Sequence, residues 1–190
     1  MKDLIEKIFN DSIQVKEKTL KTNLEVIIQA VSEITKALQN NHKILIFGNG
    51  GSAADSQHMA AEFIGRFQKE RKSLGAIALT TDSSILTALG NDYGFNIIFK
   101  RQIEGLGQKG DVAIGISTSG RSINVIEGLK QAQSMGLKTI SLTGCGGGEV
   151  AKSSDIKLIV PSDVTARIQE SHICLFHTIC ELVEKNFSSS

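Results

Sequence analysis

Residues 112–122 read VAIGISTSGRS. The first five, Val112 to Ile116, form a continuous apolar run with no polar residue alternating through it. A strand with one wet face alternates, whereas an unbroken run of this length fits a strand covered on both faces of a parallel sheet. The run passes directly into Ser117, Thr118, Ser119, Gly120, Arg121 and Ser122, and then into a helix-like stretch over 123–135. Strand, glycine- and hydroxyl-rich turn, then helix is the repeating unit of a doubly wound α/β sheet.

The same reading extends outward. Short apolar runs recur at Ile44 to Phe47, Ala76 to Leu79, Thr139 to Leu142 and Ile156 to Val160. Helix-like stretches over 53–67, 84–89, 96–106 and 164–187 lie around them. The pattern predicts about five parallel strands flanked by helices, in one domain with its α/β core over 42–187 and a frayed tail at 188–190. Residues 1–41 read as leading helices. Leu24, Ile27, Val31, Ile34 and Leu38 lie 3, 4, 3 and 4 residues apart, which places a narrow apolar seam on one helix face. Such a seam covers the domain's own sheet or packs on another subunit.

Composition narrows the function. The chain has 190 residues, 41% hydrophobic and 22% charged, with a net charge of +1. That composition is globular and carries no basic field for nucleic acid. With no Trp and one Tyr, aromatic platforms for bases or glycans are not expected. Three cysteines without a C-x-x-C pair suit a reducing compartment. The start, MKDLIEKIFNDS, lacks the apolar core of a signal peptide, and no apolar run is long enough to span a membrane. A cytoplasmic protein is expected.

In a sheet of this kind ligands bind beyond the carboxyl ends of the strands. The first such junction is Gly48-Asn49-Gly50-Gly51-Ser52, where glycines permit close backbone approach and Ser52 can cap a helix. It fits neither the dinucleotide G-x-G-x-x-G nor a Walker loop. At the second, Ser117, Thr118, Ser119 and Ser122 offer four hydroxyls around Gly120, too many for capping alone. Hydroxyls without a lysine fit a phosphate that is held rather than transferred. A third glycine-rich turn, 144–148, reads as backbone clearance.

The ionisable residues fall on two helices. His58 and Glu62 share a face at i, i+4, one turn below the first glycine loop. His177 and Glu181 repeat the spacing on the last helix. Gln169 and His177 are about 80° apart in azimuth and about 12 Å apart in rise, so one compact site uses both only if their side chains converge. Imidazole and carboxylate at i, i+4 suit zinc, and a Glu–His pair equally suits proton transfer beside a carbonyl. His42 is expected to face solvent, and His172 is a weaker candidate.

Four motifs in order now become informative together: GNGGSAADSQHMAAEF (48–63), ALTTDSSILTALGNDYGF (78–95), ISTSGRS (116–122) and PSDVTARIQESHICLFH (161–177). The chain resembles the sedoheptulose 7-phosphate (phosphoheptose) isomerases of the sugar isomerase (SIS) superfamily over residues 1–187. The resemblance implies a five-stranded parallel SIS fold with N-terminal helices used in oligomerisation, a homotetramer, and one zinc per subunit. It implies His58, Glu62, Gln169 and His177 as zinc ligands, and Asn49, Gly50, Gly51 and Ser52 along the sugar. Ser117, Thr118, Ser119 and Ser122 would take the phosphate, and Asn91 and Asp92 the open-chain hydroxyls. Glu62 would be the base, and His177 a proton shuttle, for conversion of sedoheptulose 7-phosphate to D-glycero-D-manno-heptose 7-phosphate through an enediol. The product would feed heptose into lipopolysaccharide or capsule.

Two other classes of protein resemble the chain. One is a tetrameric scaffold that associates with the bacterial replication initiator DnaA, which has no need of His58, Glu62, Gln169 and His177 together. The other is a sugar-phosphate-sensing regulator, which carries a separate DNA-binding domain. This chain has neither spare length nor a basic stripe for one.

Overall fold

A computed structural model describes residues 1–187; the expected tail at 188–190 lies outside them. Strands β1 (Ile44–Gly48), β2 (Ala76–Ala78), β3 (Val112–Ser117), β4 (Lys138–Thr143) and β5 (Ile156–Ile159) form one sheet in the order β2-β1-β3-β4-β5. Every pairing is parallel. The continuous apolar runs are explained by where their side chains go. Ile44, Ile46, Val112, Ile114 and Ile116 enter one core layer, whereas Leu45, Phe47 and Ala113 enter the other. Alternate residues point to opposite faces, and both faces are covered, so both sets are apolar.

The first layer is closed by α1 (Lys2–Gln39), α2 (Gly51–Ile64) and α7 (Thr165–Glu184), through Ile34, Met59, Phe63, Phe176 and Ile179 among others. The second is closed by α4 (Ile98–Leu106) and α5 (Ile123–Ser134), through Phe99, Ile103, Val125 and Leu129. Helix α3 (Ser83–Tyr93), capped by Asp82 Oδ1 accepting from the Ile85 N–H at 2.9 Å, buries none of its residues. A 3-10 turn (Phe95–Ile97) joins it to α4, and a short α6 (Gly148–Lys152) follows the third glycine-rich turn.

Two expectations are revised, and the alternative left open for the α1 seam is decided for most of its length. The leading helices are one continuous helix of 38 residues. Most of its 24–38 seam faces inward: Ile27, Ile34 and Leu38 are buried in the protomer's own core, while Leu24 is 51% exposed. Each buried Ile or Leu contributes about 1.5–3 kcal/mol, so this half of α1 is anchored by its own sheet. The short α6 forms where backbone clearance alone was expected.

A buried amide adds to the anchoring of α1. Asn23 Nδ2 donates to the Ile159 carbonyl and Asn23 Oδ1 accepts from the Ile159 N–H, both at 3.0 Å. The side chain thus supplies edge strand β5 with the partner that a sixth strand would give. Residues 1–11 beyond it are all exposed.

Candidate active site

β1 and β3 are neighbours, and from them the chain runs outward in opposite directions, to β2 and to β4. Their carboxyl ends therefore face a crevice at the topological switch point. The loops after β1 and β3 meet there through a reciprocal amide pair: Asn49 Nδ2 donates to Asn124 Oδ1 and Asn124 Nδ2 to Asn49 Oδ1, each at 2.9 Å. Asn124 is 3% exposed and sits in the first turn of α5. Nothing in its local sequence marks it, because its partner lies 75 residues away.

The β3 loop brings its hydroxyls together. Ser117 Oγ lies 2.9 Å from Ser122 Oγ and 3.5 Å from Ser119 Oγ, and Ser119 Oγ accepts from the Arg121 N–H at 3.3 Å. Ser122 occupies the N-cap position of α5 without a capping side-chain bond, so its hydroxyl is turned into this cluster. Thr118 contributes its carbonyl to the Gly144 N–H, tying the loop to the next strand end. Gly120 is at φ +65°, and a Cβ there would run into the Gly147 carbonyl. The 144–148 turn is the wall against which the hydroxyl loop is set.

At the β1 loop one expectation changes. Helix α2 begins at Gly51 with Gly50 as its N-cap, and no side chain caps it. Ser52 lies inside the first turn, 4% exposed, its carbonyl accepting from Ser56 Oγ at 2.7 Å. Gly51 is where the two helices approach: a Cβ there would meet the side-chain amide of Gln169 and push it aside. Gln169 thus reaches across from α7 to the start of α2.

Lower on the same two helices the ionisable residues converge. His58 Nε2 lies 3.0 Å from Glu62 Oε1 and 3.4 Å from His177 Nε2. One ligand atom from each of the three lies within 4.8 Å of the others. Two imidazole nitrogens that face each other beside a carboxylate oxygen are a donor set suited to a borderline metal such as zinc, and one cation satisfies all three lone pairs. Partial burial, and the charge of His58, lower the His177 pKa against the opposing pull of Glu62. Its ring stands edge-on to Phe176, centroids 4.7 Å apart, and against Phe67 at 5.3 Å. So Gln169 and His177 reach opposite ends of one stretch of α2.

Asp55, unmarked in the sequence reading, lies one turn above His58 and is 7% exposed. Burial raises its pKa to about 6, against the lowering effect of His58. An aspartate near the start of a helix reads locally as solvated surface, and its burial becomes visible only once the fold is known.

The other expected residues lie elsewhere. Asn91 and Asp92 are exposed on α3 and bonded to each other at 2.8 Å; among the described residues no hydrogen bond joins them to these loops. Glu181 pairs with Lys185 at 2.9 Å on the surface. His42, expected in solvent, folds over Gly110 with Nδ1 3.6 Å from the buried Asp111 carboxylate. His172 is fully buried. No helix among the described residues is long and apolar enough to cross a membrane.

Known proteins match the chain in sequence and in overall fold. Residues 8–144 fit the SIS domain family. The phosphoheptose isomerase of Aquifex aeolicus is 56% identical over 185 residues, 97% of each chain. That of Helicobacter pylori is 50% identical over 186 residues, covering 98% of this chain and 97% of the relative. Among solved structures, phosphoheptose isomerase GmhA from Neisseria gonorrhoeae superposes with a TM-score of 0.91 at 46% identity, covering 97% of this chain and 98% of that one. A phosphoheptose isomerase from Francisella tularensis gives 0.92 at 39%, covering 96% and 97%.

Proposed function

The chain belongs to the SIS domain family and, within it, to the phosphoheptose isomerases, and from that premise we propose how its residues carry out the isomerisation of sedoheptulose 7-phosphate. The observation that carries the reading is the convergence of His58, Glu62 and His177 on helices that begin or end at the same crevice as the hydroxyl loop.

The phosphate is held by Ser117, Thr118, Ser119 and Ser122, and the sugar runs past Asn49, Gly50, Gly51 and Ser52 toward α2 and α7. Asn91 and Asp92 would meet the open-chain hydroxyls only if α3 is brought over the crevice by substrate or by another copy. The Glu62 carboxylate takes a proton from C1 of the open ketose while O2 is protonated, giving the enediol. The proton held by Glu62 exchanges with water during the lifetime of the enediol, and Glu62 then protonates C2 while O1 loses its own proton, giving D-glycero-D-manno-heptose 7-phosphate. His177 carries the proton between the two oxygens. His58, Glu62 and His177 would hold zinc, with Gln169 completing the set only once its side chain leaves Gly51 or is supplied by another copy, and the charge of the metal would stabilise the developing oxyanion. The Nε2 of His177 faces His58 and is the natural ligand atom, leaving Nδ1 for the proton.

The ridge of exposed apolar residues on α1, and α3, which packs only Leu86 and Leu89 on the core and leaves most of its surface open, support a homotetramer. Three free cysteines, one of them exposed, support a reducing cytoplasm. The product would supply heptose for lipopolysaccharide or capsule. The test is incubation with sedoheptulose 7-phosphate in deuterated water, before and after chelation. Aldoheptose phosphate carrying deuterium at C2, lost on chelation and restored by zinc, is expected. No product from the zinc-loaded protein would overturn the reading.

A further inference from the structure

Beyond the carboxyl end of α2 lies a buried ion pair that the chemistry above does not use. Arg71 and Glu184 have side chains 1% and 2% exposed, with Arg71 Nε 3.4 Å from Glu184 Oε1. That is an ion-pair distance rather than a hydrogen bond, and both groups spend their hydrogen bonds on backbone. Arg71 Nη2 donates to the Glu62 carbonyl at 2.7 Å. Its Nη1 donates to the carbonyls of Phe63, Gly65 and Lys72 at 2.8, 3.0 and 3.1 Å. Glu184 accepts from the N–H groups of Phe67, Gln68 and Lys69 at 2.8, 2.8 and 2.9 Å. Burial would push the Glu184 carboxyl up, but these three donors and Arg71 hold it below its ordinary value.

Burying two charges is costly, and a helix end needs no ion pair to satisfy its last carbonyls, since a glycine turn can do so. What this pair achieves is a brace between two helices. Arg71 grips α2 at Glu62 itself. Glu184 stands on α7 seven residues after His177, two turns along the same face. Through the Phe67 N–H, Glu184 also fixes the residue whose ring packs on the His177 imidazole at 5.3 Å. One end of the brace thus touches the backbone of the base, and the other sets the aromatic wall of the shuttle.

We propose that Arg71 and Glu184 are positioning residues of the isomerisation, holding the Glu62 carboxylate and the His177 imidazole at the separation that metal binding and proton transfer both require. The proposal rests on the assignment of Glu62 and His177 to the site. It is tested on the purified full chain with Arg71→Met, Arg71→Lys and Glu184→Gln. Zinc affinity is read by chelator competition, kcat and KM with sedoheptulose 7-phosphate, and melting temperature separately. Groups that orient metal ligands typically shift affinity or activity about 10–100-fold when lost. Arg71→Met is therefore expected to lower zinc affinity and kcat by about that factor, with KM little changed because the phosphate loop lies on other elements. Arg71→Lys restores part of the loss, since an ammonium cannot span four carbonyls as the guanidinium fork does. A lower melting temperature with wild-type zinc affinity and kcat, measured where the variants are folded, would overturn the proposal. If Arg71→Met does not fold, wild-type values in both Arg71→Lys and Glu184→Gln overturn it equally. Wild-type protein that neither binds zinc nor turns over the sugar would instead overturn the isomerase chemistry itself, and the brace with it.

Discussion

Glu62 and His177 are the residues on which the proposed chemistry turns. Glu62→Gln keeps the shape and a carbonyl oxygen but deletes the proton acceptor, so kcat is expected to fall by about 10²–10⁴ with the fold intact. His177→Gln should cost a similar factor. The double variant should lose far less than the product of the two, because groups on one proton path fail as a unit. Near-normal turnover of Glu62→Gln would remove it as the base. His172 makes a different prediction. Its ring is fully buried with both nitrogens unpartnered, and burial lowers its pKa to about 4, against the raising effect of the Thr143 carbonyl. An unfolded histidine titrates near its ordinary 6.5, so its contribution to stability is complete above that pH. As pH falls toward about 4 the unfolded chain takes up a proton that the native state refuses, and up to roughly 3 kcal/mol is lost. Urea unfolding of wild type and His172→Gln between those pH values should show the difference shrinking as pH falls; parallel curves would contradict it. The i, i+4 pair His58–Glu62 was legible because helical spacing alone puts both on one face. Asp55, Asn124 and Arg71 were not, because what distinguishes them is burial or a partner on another element.

At the scale of elements, the strands were legible because burial on both faces leaves an unbroken apolar run, and the hydroxyl loop because four hydroxyls exceed what one helix cap needs. The short α6 and the start of α2 were missed because glycines at positive φ, Gly50 among them, open both helices where a capping hydroxyl would otherwise be sought. The loop itself gives a graded prediction. Ser119→Ala and Ser122→Ala each remove a hydrogen bond to a charged group, worth about 1.5–3 kcal/mol. Each should therefore raise KM for the sugar phosphate without altering the fold, with Ser119 the larger because its hydroxyl is held only at 3.3–3.5 Å by the loop, whereas that of Ser122 is already engaged by Ser117 at 2.9 Å. Unchanged KM in both would take the phosphate elsewhere. Gly51→Ala probes the other loop: its Cβ would displace the Gln169 amide, a flexible side chain, rather than backbone. The melting temperature should barely move; Gln169→Ala is the direct test of the ligand set, expected to lower zinc affinity, and unaltered affinity in that variant would remove Gln169 from it.

For the whole molecule, a seam with 3, 4 spacing looks the same whether its own sheet or a second copy covers it, so sequence could not decide which part of α1 faces outward. The structure moves the uncovered ridge toward the amino end. Ile5, Phe9, Ile13, Leu20, Leu24 and Ile28 are each at least half exposed on one helix. Together they present on the order of several hundred Å² of apolar surface, more than a monomer ordinarily leaves to water. Residues 1–20 carry four lysines against four Asp or Glu. That balance is unlike the basic face of a membrane-surface helix, and it lets two copies approach without net repulsion. Docking α1 ridges, with α3 offered as a further uncovered surface, is therefore expected to give the tetramer. Leu20→Glu together with Leu24→Glu places two charges in the middle of the ridge while leaving Asn23, Ile27 and the core contacts in place. Light scattering should then report a smaller species with an unchanged far-ultraviolet dichroism spectrum. A wild-type chain that runs as a stable monomer at micromolar concentration, or a double variant that still assembles fully, would show that the ridge is not what joins the copies.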